Sequence, residues 1–295
     1  MEFERAMGER EVKMEEVKKV FSELKLNFDI EKYPDLLERL VDTGEHFQDA
    51  VEMARMIDAI WDKLEVDDAD RETLLTATLF HDIGKSGSLK IFNDSKMREV
   101  FIKLFPRENV NIKTHDDLVK SRSINFEDLA RNAGFENSDR LIEVLSSEQT
   151  PLTKDTPAIV FWRYHADWTY EILKDAGIDE QIVRIASSHH ILVGKNPAHL
   201  SEEEIGKGAK TLELTDKYHA HGHRVLEMVD KLQATMERGA QKTHEEIIAF
   251  LYKIIDDSTV SDNLKNDYRE IIEKVFTPNK EIFERIFKKD LHSRE

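Results

Sequence analysis

Seven histidine and aspartate residues carry the chemistry that this sequence can offer. His81 and Asp82 stand together after the apolar run 74–80 and are followed by Ile83, Gly84 and Lys85. A neutral imidazole beside a carboxylate is a mixed nitrogen–oxygen ligand pair, suited to a hard or borderline divalent metal. The two oxygens of Asp82 can touch two ions at once, as a two-metal hydrolytic site requires. Gly84 permits close backbone approach or an exit at positive φ, and Lys85 supplies a cation for a phosphate oxygen. His46, His165, the pair His189-His190 and Asp216 complete the set, each at a helix end or on a core-facing stripe. Ligands so placed are rigidly held. The spacing suits two ions, one on His46, His81, Asp82 and Asp216, the second on His165, His189 and His190, with Asp82 as the bridge. A hydroxide shared by two such ions is a strong nucleophile at neutral pH.

The elements that must position these residues are helices. Six prolines and eleven glycines in 295 residues, with apolar residues at helical spacing almost throughout, predict an all-α chain. Met14, Val17, Val20, Phe21 and Leu24 form one stripe of a helix over 9–26. This stripe packs on the core, with a homodimer as the alternative. Pro34 opens a short helix to residue 40, and Asp42 or Thr43 caps one running to about 64, with His46 in its first turn. A helix starting within 67–70 ends at His81-Asp82. Helices are also expected over 97–105, 126–133, 140–145 and 161–176, the last closed by Gly177. Asp179 opens the helix that ends at His189-His190. Ser201 and Glu204 form a capping box for the helix that reaches Asp216 and Ala220. The stretches 224–237, 243–256, 259–276 and 279–288 read as structural amphipathic helices. Residues 1–40 are thus an N-terminal helical extension, 41–240 the domain holding the ligands, and 241–295 C-terminal helices packed on it. Residues 86–157, weaker in periodicity, form either an insertion that lids or lines the site or a passive subdomain.

Charged residues make up 35% of the chain, and 60 acidic against 43 basic residues give a net charge of −17. Such a surface repels nucleic-acid backbones and anionic membrane, and no basic run offsets it. A small anionic substrate stays open, because metals and a few local cations dominate a pocket. The absence of cysteine excludes disulfides, zinc ribbons, iron–sulfur clusters and thiol nucleophiles. No apolar stretch approaches membrane-spanning length, and the charged N-terminus is no secretory signal. A cytoplasmic protein is expected.

His46, then His81-Asp82, then Asp216 resembles the H…HD…D pattern of the HD superfamily of metal-dependent phosphohydrolases. The fuller order, with His165 and then His189-His190 adding a second metal, is similar to the HD-GYP phosphodiesterases. The resemblance covers roughly residues 40–224, with 86–157 outside it. It implies an HD-domain helical bundle, two divalent ions (Fe, Mn, Mg, Zn or Ni) and hydrolysis of a small nucleotide-like phosphoester, a cyclic dinucleotide among the choices. Asp82 and Lys85 would then be catalytic, and Lys85, Lys195 and Arg224 would contact substrate. The glycine-tyrosine-proline segment is missing: His190 is followed by Ile191, Leu192, Val193, Gly194, Lys195, Asn196 and Pro197. Ile191 stands where a glutamate is usual, and Arg224 comes one residue early. The alternatives are a di-iron oxygenase on the same scaffold and a non-catalytic nucleotide-binding signalling module.

Overall fold

The computed structural model describes residues 2–64, 68–91, 97–98, 101–105, 124–148, 150–193, 221–238 and 243–291. The regular structure among these residues is helical, with one isolated β-bridge between Asn125 and Pro157. Asp216, Lys195 and the helix expected from Ser201 lie outside the described residues.

Helix α1 (Glu2–Glu23) buries Val17 and Phe21 and packs on α2 (Pro34–Thr43), which carries Pro34 in its first turn. The joint to α3 (Glu45–Ala59) is Gly44, at φ 55° and ψ −116°. Glycine adopts that conformation without penalty. The capping expected of Asp42 or Thr43 is therefore not found, since both lie inside α2. Asp42 instead ion-pairs with Arg10 Nη1 and Arg98 Nε, each at 3.0 Å, and the Thr43 hydroxyl donates to Leu40 O at 2.7 Å.

Phe47, Val51, Ala54 and Ile57 form the buried face of α3. The single helix expected to residue 64 breaks at Ile60, and α4 (Trp61–Leu64) follows. Helix α5 (Asp68–Phe80) lies against α3 and buries Leu74, Leu75, Ala77, Leu79 and Phe80. It ends immediately before His81, and a 3-10 turn (Ile83–Ser86) takes over.

Within the expected insertion, α6 (Phe126–Asn132) and α7 (Ser138–Leu145) are capped by the side chains of Asn125 and Asn137. The helix expected over 161–176 is two helices, α8 (Ala158–Arg163) and α9 (His165–Asp175). The backbone tightens to 3-10 spacing between them, with Tyr164 N–H donating to Phe161 O at 2.9 Å, so His165 opens α9. Asp179 caps α10 (Glu180–Ser187) by accepting from Gln181 N–H.

Helix α11 (His221–Arg238) lies against α3, α5 and α10. A capping box of Thr243 and Glu246 starts α12 (His244–Asp257). Then come α13 (Asp262–Ile271), a π-helical turn (Ile272–Phe276) and α14 (Lys280–Leu291), which packs back on α3. Helices α3, α5, α9, α10 and α11 thus surround one interior region, and the histidines and Asp82 meet there. Among the described residues, no helix is long and apolar enough to cross a membrane.

Candidate metal centre

Six of the seven expected ligands lie among the described residues. His46 comes from the first turn of α3, His81 and Asp82 from the turn after α5, His165 from the start of α9, and His189 and His190 from the turn after α10. Asp82 is the meeting point. Its Oδ1 lies 2.9 Å from His165 Nε2 and 3.8 Å from His189 Nε2. Its Oδ2 lies 3.5 Å from His81 Nε2 and 2.5 Å from Lys85 Nζ. The two carboxylate oxygens therefore face different nitrogen sets.

The backbone selects which ring nitrogen each histidine presents. Nδ1 of His81 donates to Thr78 O at 2.7 Å, and Nδ1 of His189 to Ala186 O at the same distance. Nδ1 of His165 donates to Trp162 O. In each case the acceptor is the carbonyl three residues earlier, and Nε2 is left as a lone-pair acceptor when the ring is neutral. His190 has no such carbonyl: its Nδ1 is buried without a hydrogen-bond partner among the described residues.

These acceptors converge. His165 Nε2 lies 2.9 Å from His189 Nε2 and 3.3 Å from His190 Nε2. Two nitrogens bonded to one ion at about 2.0–2.1 Å stand about 3 Å apart when they subtend roughly a right angle, and somewhat more in a tetrahedron. The observed spacings fall in that range. Burial and the charges of His81 and His165 push the His189 pKa well down, and burial and the charge of His189 do the same to His190. Burial opposes the charge on Asp82, but His81, Lys85 and His165 outweigh it and hold the carboxyl well below its usual range. Imidazole Nε2 atoms converging on an ionised carboxylate, with Nδ1 of three of the rings held by backbone carbonyls, are a donor set that a cation satisfies. The residues fit a divalent metal.

The family comparison agrees with this chemistry. A family model described as HD domain matches residues 43–138. The chain contains an HD domain. The matched segment includes His46, His81, Asp82 and Lys85 and ends before His165. HD domains are typical of metal-dependent hydrolases and bind divalent metals. No curated protein and no solved structure matches the chain.

In this HD domain the His81-Asp82 turn is clamped to α9. The Thr169 hydroxyl donates to His81 O at 3.0 Å and accepts from Gly84 N–H at 3.0 Å. From the other side Arg39, almost fully buried, donates to Ser86 Oγ at 3.0 Å and to Gly87 O at 2.9 Å. The turn is held at both of its ends, which fixes where Asp82 stands. His46 Nε2–H donates to Phe105 O at 3.2 Å, and its Nδ1 accepts from Lys85 Nζ at 3.3 Å. Burial and the Lys85 charge hold His46 down to about 3, so its ring is neutral. Phe105 also sets its ring edge-on to His165, with centroids 6.0 Å apart. The expected insertion thus contributes a wall of the site.

Helix α11 departs most from expectation. Arg224, expected to grip substrate, is 1% exposed and ion-pairs with Asp267 of α13. It joins α11 to the C-terminal helices and does not stand with the metal ligands. Glu227, fully buried, accepts from Leu192 N–H at 2.9 Å and from the Tyr268 hydroxyl at 2.6 Å. It ties the turn after His190 to α13. Asp230 pairs with Lys231, and although burial opposes its charge, Lys231, His189 and His81 hold it well below the usual carboxylate range. Glu227 and Asp230 were not among the residues expected at the site. Their signal was acidic residues at i and i+3 beside the apolar residues Val225, Leu226, Val229 and Leu232.

Glu227 gives a pH dependence whose sign can be worked out. Burial pushes its pKa from 4.5 to about 7, so the folded chain binds an extra proton between those values. Stability then falls as pH rises through that window, by about 3 kcal/mol for this group. Denaturant unfolding at pH 5 and pH 8 is expected to show this loss in the wild type, and Glu227→Gln is expected to lack it. Equal pH dependence in the two proteins would refute the assignment.

Proposed function

We propose that this protein is a two-metal phosphohydrolase or phosphodiesterase acting on a small nucleotide-like phosphoester. The observation that carries the reading is the division of Asp82, with Oδ1 toward His165 and His189 and Oδ2 toward His81 and Lys85. That arrangement suits a carboxylate bridging two ions. His165, His189 and His190 would hold one ion with Oδ1, while His46 and His81 would hold the other with Oδ2, joined by Asp216 on the sequence pattern. Bound there, divalent ions supply a water acidic enough to attack phosphorus at neutral pH, and positive charge against the phosphoryl oxygens.

The chain's own residues do the rest. Asp82, kept ionised by its neighbours, keeps the two halves in register. The carbonyls of Thr78, Trp162 and Ala186 hold the His81, His165 and His189 rings so that Nε2 faces inward, and little reorganisation accompanies the reaction. Phe105 covers His165 and limits water on that side. Lys85 brings the cation expected to meet a phosphate oxygen.

The test is a hydrolysis screen of the purified chain loaded with Mn, Fe, Mg or Zn. Substrates should include cyclic dinucleotides, nucleoside monophosphates and a chromogenic phosphodiester. Metal-dependent release of product from one class is the expected result. Failure on every phosphoester with a metal-replete protein would reject the reading.

A further inference from the structure

We infer that Lys85 is a tethered competitor for one metal position, so that the two ions bind in a fixed order. The inference rests on the two-metal reading above. The Lys85 ammonium lies 2.5 Å from Asp82 Oδ2 and 3.3 Å from His46 Nδ1. An ion held by those two atoms would sit at about 2.0–2.2 Å from each, within the space that Nζ fills. Two positive charges cannot share it. The first-half ion therefore binds only as Lys85 leaves, giving up a charge-assisted hydrogen bond to the carboxylate and the bond to His46.

The other half has no such competitor among the described residues. Asp82 Oδ1 faces His165 and His189 alone. The cation that acts on His190, Lys231, is paired with Asp230 and not with a ligand atom. The three-histidine half therefore fills first, and the His46–His81 half fills second and more weakly. Displaced, Lys85 still has a flexible four-carbon stem that lets its ammonium swing toward an incoming phosphate. One side chain would then guard a metal position before loading and serve the substrate after it.

The experiment is a calorimetric titration of the full chain, stripped by chelator, with Mn2+. The wild type is expected to bind in two steps of different affinity. Lys85→Met is expected to tighten the weaker step by about tenfold or more, the worth of one charge-assisted hydrogen bond, and to leave the tighter step in place. Lys85→Gln should repeat this result and replaces the methionine variant if circular dichroism shows that one unfolded. Lys85→Arg, which keeps the cation, should retain the wild-type ratio of affinities. A weaker step that is unchanged or weakened in the neutral variants overturns the inference but leaves the two-metal reading standing. A wild type that takes up no metal at all overturns both.

Discussion

Replacing Asp82 by asparagine is expected to abolish stoichiometric metal uptake and to lower phosphoester hydrolysis by about a thousandfold or more, since metal ions supply several kcal/mol of transition-state stabilisation. The size of the effect follows from the position of this one side chain. Both of its oxygens face ligand nitrogens, at 2.9 and 3.8 Å on one side and 3.5 Å on the other. Asparagine has nearly the same shape, so packing around a residue that is only 7% exposed should survive. The charge does not survive. Without it, His165, His189 and His190 lose the anion they converge on, and the amide nitrogen meets at least one half of the site as a donor where an acceptor is required. Elemental analysis of the purified variant, beside kcat/KM on the best substrate of the wild type, is the measurement. Full metal content in Asp82→Asn would show that Asp82 is no bridge.

The second large effect is structural. Gly84→Ala is expected to destabilise the fold by about 3 kcal/mol or more and to lower Tm by roughly 6–12 °C. A Cβ at this position would lie 2.0 Å from His165 O and 2.7 Å from Thr169 N. Both atoms belong to the backbone of α9, so no side chain can turn aside to make room. The 3-10 turn or the helix must move, and the Gly84 N–H bond to Thr169 stretches with it. Because His165 opens that helix, the separation of His165 from Asp82 changes as well, and metal affinity should fall with stability. Thermal unfolding of chelator-stripped and metal-loaded samples separates the two effects. A variant with wild-type Tm and wild-type metal content would show that the close approach is not required.

Much of this architecture can be read in the chain because ligand chemistry and helix periodicity leave separate marks. His81-Asp82 and His189-His190 each follow an apolar helical stripe, and the structure brings both pairs to one point. The all-α class is equally visible in the spacing of apolar residues and the scarcity of proline. Boundaries are less visible. Nothing in the composition of Ile60 or Tyr164 marks the breaks between α3 and α4 and between α8 and α9, because local hydrogen bonding decides them. Gly44 displaced two good capping residues because backbone direction there required positive φ. Helix α11 was the hardest to read. Arg224, Glu227 and Asp230 look like the solvated face of an amphipathic helix, but α13 pairs with the first two and Asp230 lies within the field of His189 and His81. Arg39 was invisible for the same reason, since its partners are Ser86 Oγ and the backbone of the Gly87 turn, 47 and 48 residues away.

Two of the ligand-bearing turns begin where a helix stops: α5 ends at Phe80 and α10 at Ser187. A helix end of this kind carries the negative pole of the aligned peptide dipoles, and each contributes about 0.3–1 kcal/mol toward a nearby cation. Both poles point into the same interior, but so do the starts of α3 and α9, which carry His46 and His165 and present the opposite pole. These fields belong to the main chain, so no single side-chain replacement removes them. Their opposed signs leave the ionised Asp82 carboxylate to decide the preference of the interior for a cation.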